Sequence, residues 1–178
     1  MMSKVRSVFL DRDGVINHPI IKDGKPYPPK NLSEFKLMPG VSEAVHLLKE
    51  AGFLIVVITN QPDVGRGTMT RETVESIHNK MRETLPLNEI RVCYDDGKIV
   101  NSEFRKPNPG MILASVKENN IDPKESYMVG DRWRDIDAGK RAGVRTIFID
   151  YGYAEELREK PDYRVSSLLE AAKLILAI

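Results

Sequence analysis

Little in this chain of 178 residues points to bulk electrostatics or covalent cross-linking. Lys and Arg number 27 against 26 Asp and Glu, a net charge of +1 that gives no support to nucleic-acid or acidic-membrane binding through overall charge. A single cysteine, Cys93, excludes an internal disulfide and fits a reducing compartment. The longest apolar run, Phe53 to Ile58, is far short of the roughly 20 residues that span a bilayer. The start, Met1-Met2-Ser3-Lys4-Val5-Arg6, lacks a signal-peptide pattern, so the expected setting is the cytoplasm. Repeats, low-complexity tracts and linker-like shifts of composition are also missing, which predicts one domain over 1–178. What is present, 41% hydrophobic and 30% charged residues, excludes disordered and fibrous classes and suffices for one sizeable core.

Short apolar runs rich in β-branched residues recur at Val5–Leu10, Leu54–Thr59, Ile90–Tyr94, Tyr127–Val129 and Thr146–Ile149. Each is too uniformly apolar for a half-exposed strand and reads as a buried parallel one. Between them, Val41, Ala44, Val45 and Leu48, and again Val74, Ile77, Met81 and Leu85, repeat at helical spacing. Asn108 before Pro109 predicts a helix start with proline at its first position, Gly143 a C-terminal cap, and Ser167 with Glu170 a capping box. Parallel strands need crossovers, so the expected fold is α/β: three layers, doubly wound and Rossmann-like, around a mainly parallel five-stranded sheet. Ligands in such sheets bind beyond the carboxyl ends of the strands. Residues 14–39, with Pro19, Pro26, Pro28, Pro29 and Pro39, are too long for an ordinary connection and predict a flap or lid.

The strand ends hold the chemistry. Asp11-Arg12-Asp13-Gly14 places two carboxylates two residues apart, pointing the same way in extended backbone, so that one can attack while the other moves protons. The same motif is also a common turn; a calcium loop is excluded because Lys22 occupies the position of its bidentate glutamate. Thr59-Asn60-Gln61 offers neutral donors for an oxyanion, or an ordinary turn, and Gly65-Arg66-Gly67 after it would let backbone approach a ligand. Arg105 and Lys106 precede a helix start, where cations do not serve helix stability and where a bound anion would explain them; the alternative is a solvated basic turn. Asp131 lies at the end of the fourth strand, and with Asp11 would suffice for magnesium, which needs few protein ligands. Asp135 and Asp137 lie in the first turn of the next helix, where acids are favoured for structural reasons.

A nucleophilic carboxylate, neutral donors, a lysine and a metal carboxylate at successive strand ends resemble the four motifs of the haloacid dehalogenase superfamily of phosphohydrolases. The motifs are matched by Asp11-Arg12-Asp13-Gly14, Thr59, Lys106 and Gly130-Asp131 with Asp135, and the likeness spans Val5 to about Asp150. The resemblance implies that Asp11 forms an aspartyl-phosphate, that Asp13 acts as acid and then base, and that Thr59 and Lys106 hold the transferring phosphoryl. It further implies Mg2+ on Asp11, the Asp13 carbonyl and Asp131, with Asp135 orienting Lys106 or a metal-bound water.

Asp11 to Asn17, Thr59-Asn60-Gln61 with Arg66-Gly67, and Arg105 to Met111 are similar to the branch of heptose 1,7-bisphosphate and histidinol-phosphate phosphatases. That similarity implies substrate contacts from Asn60, Gln61, Pro62, Arg105 and Arg132, and an enzyme without a large cap domain. Many members of the branch carry a structural zinc loop; here its four positions read Cys93, Asp95, Ser102 and Phe104, one ligand of four, so zinc is not expected.

Among the remaining residues, His46 and His78 read as partly exposed helix residues, His18 as a pocket candidate, and Trp133 as either a site wall or an interface aromatic. The expected partner is a small phosphorylated metabolite, the substrate of a monomeric enzyme, with neither nucleic acid nor membrane involved. Arg105 and Arg132 favour a heptose bisphosphate over histidinol phosphate, whose ammonium they would repel. A phospho-receiver module is the competing reading from another class, but the third strand is followed by cations where a receiver has its acid.

Overall fold

The computed structural model describes residues 4–98 and 102–178; Met1 to Ser3 of the N-terminal reading lie outside them. Six parallel strands form the central sheet: β1 (Ser7–Leu10), β4 (Leu54–Asn60), β5 (Glu89–Cys93), β6 (Tyr127–Gly130), β7 (Arg145–Ile149) and β8 (Tyr163–Val165). The first five are the runs read from sequence. The sixth was not expected, because Tyr163-Arg164-Val165 is a short edge strand with one buried residue and no apolar run. A separate antiparallel pair, β2 (Ile20–Lys22) and β3 (Lys25–Tyr27), forms within the proline-rich stretch.

Alternation along the strands builds two cores. Val8, Leu10, Ile55 and Val57 face one side, where they meet α1 (Val41–Glu50), α3 (Arg71–Thr84) and α6 (Leu168–Ala177). Phe9, Val56, Ile58 and Met128 face the other, against α4 (Gly110–Glu118) and α5 (Trp133–Ala142). These strands are buried on both faces, which is why they carry no polar alternation. Full burial of each such side chain contributes about 1.5–3 kcal/mol.

The helix boundaries partly depart from expectation. Gly143 is the left-handed C-cap of α5, with φ 76°. Ser167 caps α6 through Glu170 N–H at 3.1 Å, but the Glu170 carboxylate reaches back to Ser166 rather than to Ser167. Asn108 caps nothing: its amide donates to the Ser102 carbonyl and accepts from Arg141, and Pro109 occupies the cap position before α4. Tertiary partners for an exposed-looking asparagine outcompeted the local cap.

Strands run β5-β4-β1-β6-β7-β8 across the sheet, so the connections leave β1 in one direction through β4 and β5 and in the other through β6, β7 and β8. The winding reverses between β1 and β6, and a doubly wound sheet opens its binding crevice at that point. Asp11 follows β1 directly and Asp131 follows β6 directly. Among the described residues no helix is long and apolar enough to cross a membrane.

Close approach of α5 to the sheet depends on Gly139, where a Cβ would lie 2.7 Å from Thr146 Cγ2 and 2.9 Å from Met128 Cβ. Helix propensity alone would make Gly139→Ala stabilising by about 1 kcal/mol. Overpacking opposes it by about 1–3 kcal/mol, so we expect a net loss in urea denaturation; a gain in stability would show that the layers can separate to admit the methyl group.

Candidate active site

A cavity of about 260 Å³ opens at the carboxyl ends of β1, β4 and β6. Asp11, Asp13, Lys106, Asp131 and Asp135 line its floor, Asn60 and Pro62 one wall, and Arg66, Arg105, Arg132 and Arg134 contribute cations. Pro26, Tyr27 and Pro28 reach it from the β2–β3 pair.

At the floor, Lys106 is buried and its ammonium donates to Asp11 Oδ1 at 2.8 Å, Asp135 Oδ1 at 2.7 Å and the Ile58 carbonyl at 2.8 Å. Burial works against its charge, but Asp11 and Asp135 outweigh burial and raise its pKa. Asp11 Oδ1 also accepts from Arg12 N–H at 2.8 Å. Burial, then the charge of Asp135, pushes Asp11 up to about 6, against the pull of Lys106. Asp135 is engaged at both oxygens, since Oδ2 accepts from Arg132 N–H at 3.1 Å at the start of α5. Lys106 and Asp135 thus form a direct ion pair.

Asp131 differs from its neighbours. Among the described residues, both its oxygens are buried without a hydrogen bond inside 3.5 Å, and the Tyr153 hydroxyl interacts with it from beyond that distance. Burial and the charges of Asp11 and Asp135 hold its pKa well above the ordinary carboxylate value. Ligand oxygens of Asp11, Asp131 and Asp135 lie within 4.8 Å of one another. Three carboxylates share one ammonium here, a deficit of positive charge that the neighbouring Arg132 offsets only in part. A hard divalent cation with oxygen ligands fits that deficit. Gly14, at φ 90°, is required beside it, because a side chain there would overlap Asp131 Oδ2.

Asp13 is differently placed. Burial raises its pKa, but Arg12, with hydrogen bonds from Asn17 at 2.9 Å and Gln61 at 2.8 Å, holds it below the usual carboxylate range. Arg12 is fully buried and forks onto both Asp13 oxygens at 3.0–3.3 Å. Its Nη1 donates to His78 Nε2 at 3.2 Å. His78 must then be neutral, with the proton on Nδ1, which lies 3.2 Å from Glu75 Oε1; Glu75 in turn accepts from Tyr94 at 3.0 Å. His78 is thus fully buried, contrary to the partly exposed position expected. The signal was in the sequence: His78 sits four residues after Val74 and three before Met81, on the apolar stripe of α3.

The amides that follow β4 act on protein rather than facing the cavity freely. Gln61, 1% exposed, donates to Asp13 Oδ2 and to Thr59 Oγ1 at 2.9 Å, and neither Gln61 nor Thr59 lines the cavity. Asn60 lines it, but its amide clasps the Lys106 backbone through Nδ2 to the carbonyl at 3.0 Å and N–H to Oδ1 at 3.1 Å. Gly65 admits the loop after β5, since a side chain there would overlap the Tyr94 carbonyl. Arg105 donates to the Asp95 carbonyl at 2.6 Å, and Arg132 forms two 2.7 Å hydrogen bonds with the Glu155 carboxylate. Glu155, Arg134 and Tyr151, whose hydroxyl donates to the Gly14 carbonyl at 2.8 Å, were not read from sequence. Arg134 stood in the motif as one of two cations flanking Trp133; the other two carried no local pattern.

His18 is exposed and lies outside the cavity lining, as does His46, whose Nδ1 meets the Ser42 carbonyl at 2.7 Å. Trp133 is no cavity wall: Arg158 stacks on its ring at 3.6 Å. Cys93 is buried in the second core with Val56 and Ile58.

Comparison with known proteins points in one direction. A family model described as HAD-hydrolase-like matches residues 103–171. The chain is 33% identical to a D-glycero-beta-D-manno-heptose-1,7-bisphosphate 7-phosphatase of Pasteurella multocida, over 96% of each chain. It is 36% identical to a D-glycero-alpha-D-manno-heptose-1,7-bisphosphate 7-phosphatase of Burkholderia mallei, over 82% of this chain and 80% of that one. A solved D,D-heptose 1,7-bisphosphate phosphatase from B. bronchiseptica, complexed with magnesium and phosphate, superposes with a TM-score of 0.83 at 28% identity, covering 97% of this chain and 98% of that one.

The Arg12–His78 contact carries a pH signature. Burial, with the Arg12 charge beside it, lowers the His78 pKa from 6.5 to about 4. The unfolded chain therefore takes up the proton first, and stability falls as pH drops from about 6.5 towards 4, by roughly 3 kcal/mol for this group. Urea midpoints at pH 7 and pH 4.5 should show a smaller loss for His78→Gln, which cannot be protonated, than for the parent; equal losses would count against a buried neutral His78.

Proposed function

Because this chain belongs to the haloacid dehalogenase-like hydrolases, as a phosphoric monoester hydrolase, we propose that it removes the 7-phosphate of D-glycero-D-manno-heptose 1,7-bisphosphate. The observation that carries this reading is a buried carboxylate, Asp11, at the floor of a cavity to which four arginines contribute. A sugar with phosphates at both ends presents one to the floor and one to the arginines. The relatives named for this substrate align over most of the chain, which supports the same assignment here. The setting we propose is the cytoplasm.

In this mechanism Asp11 Oδ2 attacks phosphorus, since Oδ1 is already held by Lys106 and the Arg12 N–H. The new O–P bond forms as the bond to the sugar oxygen breaks, and Asp13 gives that oxygen a proton. An incoming anionic phosphoryl group beside Asp13 raises its pKa by like-charge repulsion and so favours the protonated form that this step needs. Once the alcohol leaves, the Asp13 carboxylate takes a proton from water, whose oxygen attacks phosphorus and releases phosphate and Asp11. Gln61, Asn17 and Arg12 orient Asp13 throughout, and Asn60 fixes the Lys106 backbone. Asp11, Asp131 and the Asp13 carbonyl would hold Mg2+, which when bound offsets negative charge on the phosphoryl oxygens. Asp135, engaged at both oxygens, acts by orienting Lys106.

Phosphate release with Mg2+, measured in parallel on both anomers of heptose 1,7-bisphosphate and on histidinol phosphate, tests the substrate. A large preference for the bisphosphate is expected, and Asp11→Asn should reduce turnover to background while remaining folded. Preference for histidinol phosphate would reassign the substrate, and substantial activity in Asp11→Asn would remove the nucleophile.

Metal binding has its own readout. At about a hundredfold excess over its Kd, Mg2+ should stabilise the protein by about 2.7 kcal/mol. Thermal denaturation of Asp131→Asn should show no such rise, with a metal-free Tm at or above that of the parent because repulsion with Asp11 and Asp135 is relieved; an undiminished Mg2+ shift would place the ion elsewhere.

A further inference from the structure

Of the cavity cations, Arg134 makes the fewest commitments to the protein among the described residues. Lys106 is paired with Asp11 and Asp135, Arg132 with Glu155 and Arg66 with Asp63, while Arg105 donates to a backbone carbonyl. Arg134 lines the same cavity, is half-buried, and forms no ion pair or hydrogen bond among the described residues. Its surroundings on balance disfavour its charge: burial first, then the neighbouring Arg132, lower its pKa, against the opposing pull of Glu155 and Asp135. It also occupies the first turn of α5, where the helix dipole repels a cation. A partly desolvated cation that makes no ion pair is costly, and the charges of Glu155 and Asp135 offset that cost only in part. Its guanidinium carbon lies 5.5 Å from the Trp133 ring, a longer contact than that of Arg158 with the same ring at 3.6 Å.

The arrangement has the form of a site completed by an anion. We propose that Arg134, rather than Arg132, takes the second anionic group of the substrate, the phosphate remote from the bond being cut. The inference rests on the bisphosphate reading above and deepens it. Arg132 cannot serve as a free anion clamp while Glu155 occupies the fork of its guanidinium through Nε and Nη2. Arg134 has a whole planar fork to offer, and it lies three residues beyond Asp131, on the rim of the same cavity. It is a specificity-determining residue, not a catalytic one: it would contact the substrate away from the reacting atoms.

The test compares heptose 1,7-bisphosphate with heptose 7-phosphate, which differ only in the remote phosphate. Arg134→Ala should raise KM for the bisphosphate about 10- to 100-fold, the worth of one charge-assisted hydrogen-bonded contact, with kcat little changed. The kinetic constants for heptose 7-phosphate should move by less than about twofold, since that substrate never makes the contact. Arg134→Lys should recover part of the loss, and Arg158→Ala, outside the cavity, should leave the preference intact. Equal losses on both substrates, or no loss on either, would overturn the assignment. If the parent enzyme hydrolyses neither heptose, the substrate reading fails on its own, and calorimetric binding of fructose 1,6-bisphosphate and fructose 6-phosphate to the Mg2+-loaded protein then decides. Tighter binding of the bisphosphate that Arg134→Ala abolishes would sustain the anion site; absence of any such preference in the parent protein would overturn it.

Discussion

The buried ammonium of Lys106 is the interaction on which the rest of this site depends. It joins the residue after β1, the carbonyl of Ile58 in β4 and the first turn of α5, three elements that the chain supplies far apart in sequence. Removing one partner from such a buried arrangement typically costs 3–5 kcal/mol, about as much as truncating a core side chain. The same contact sets the electrostatics of Asp11, the nucleophile we propose. Asp11 is pushed up by burial and by Asp135, and Lys106 limits the rise so that the carboxylate is ionised near neutrality. Structure and reactivity therefore draw on one ion pair, and neither can be altered alone.

Around this centre, most polar groups serve other protein groups rather than the cavity. Asn60 holds the Lys106 backbone, Gln61 holds Asp13 and Thr59, Arg12 holds Asp13, and Glu155 holds Arg132. A supporting shell of this kind fixes reacting groups before substrate arrives, which is the condition for electrostatic stabilisation without reorganisation. It also separates two populations of charge. Groups already satisfied by the fold contribute orientation, while Asp131 and Arg134, of opposite sign, form no ion pair among the described residues. One calls for a cation and the other for an anion, as the magnesium-assisted reaction of a phosphorylated sugar that we propose requires.

Legibility from sequence followed the range of the interactions involved. The buried strands were readable because burial on both faces leaves an uninterrupted apolar run, and the strand ends were readable as a site because doubly wound sheets bind there. Strand β8 and the β2–β3 pair were not, being short and largely polar. Side-chain types at the site were likewise readable, but their partners were not. Gln61 meets Asp13 across 48 residues and Arg132 meets Glu155 across 23, and no local pattern encodes either pairing. Asn108 illustrates the same limit at a helix end, where a tertiary partner replaced the local cap.

The pairing of Asp13 with a buried arginine bears on how one carboxylate could serve as acid and as base in the mechanism we propose. Without substrate, Arg12, Asn17 and Gln61 keep Asp13 ionised despite its burial. A carboxylate held so firmly would be a poor acid if its surroundings never changed. Yet the cavity beside it admits a phosphoryl group, and a negative charge arriving there opposes Arg12 directly. The acid form is then favoured only when a leaving oxygen is present to use it, and the base form returns as charge departs. His78 matters here through its neutrality: a second positive charge against Arg12 would oppose the guanidinium that balances Asp13. The apolar stripe of α3, by burying an imidazole instead of an alkyl group, thus supplies the acceptor that lets a charged fork sit dry behind the acid–base residue.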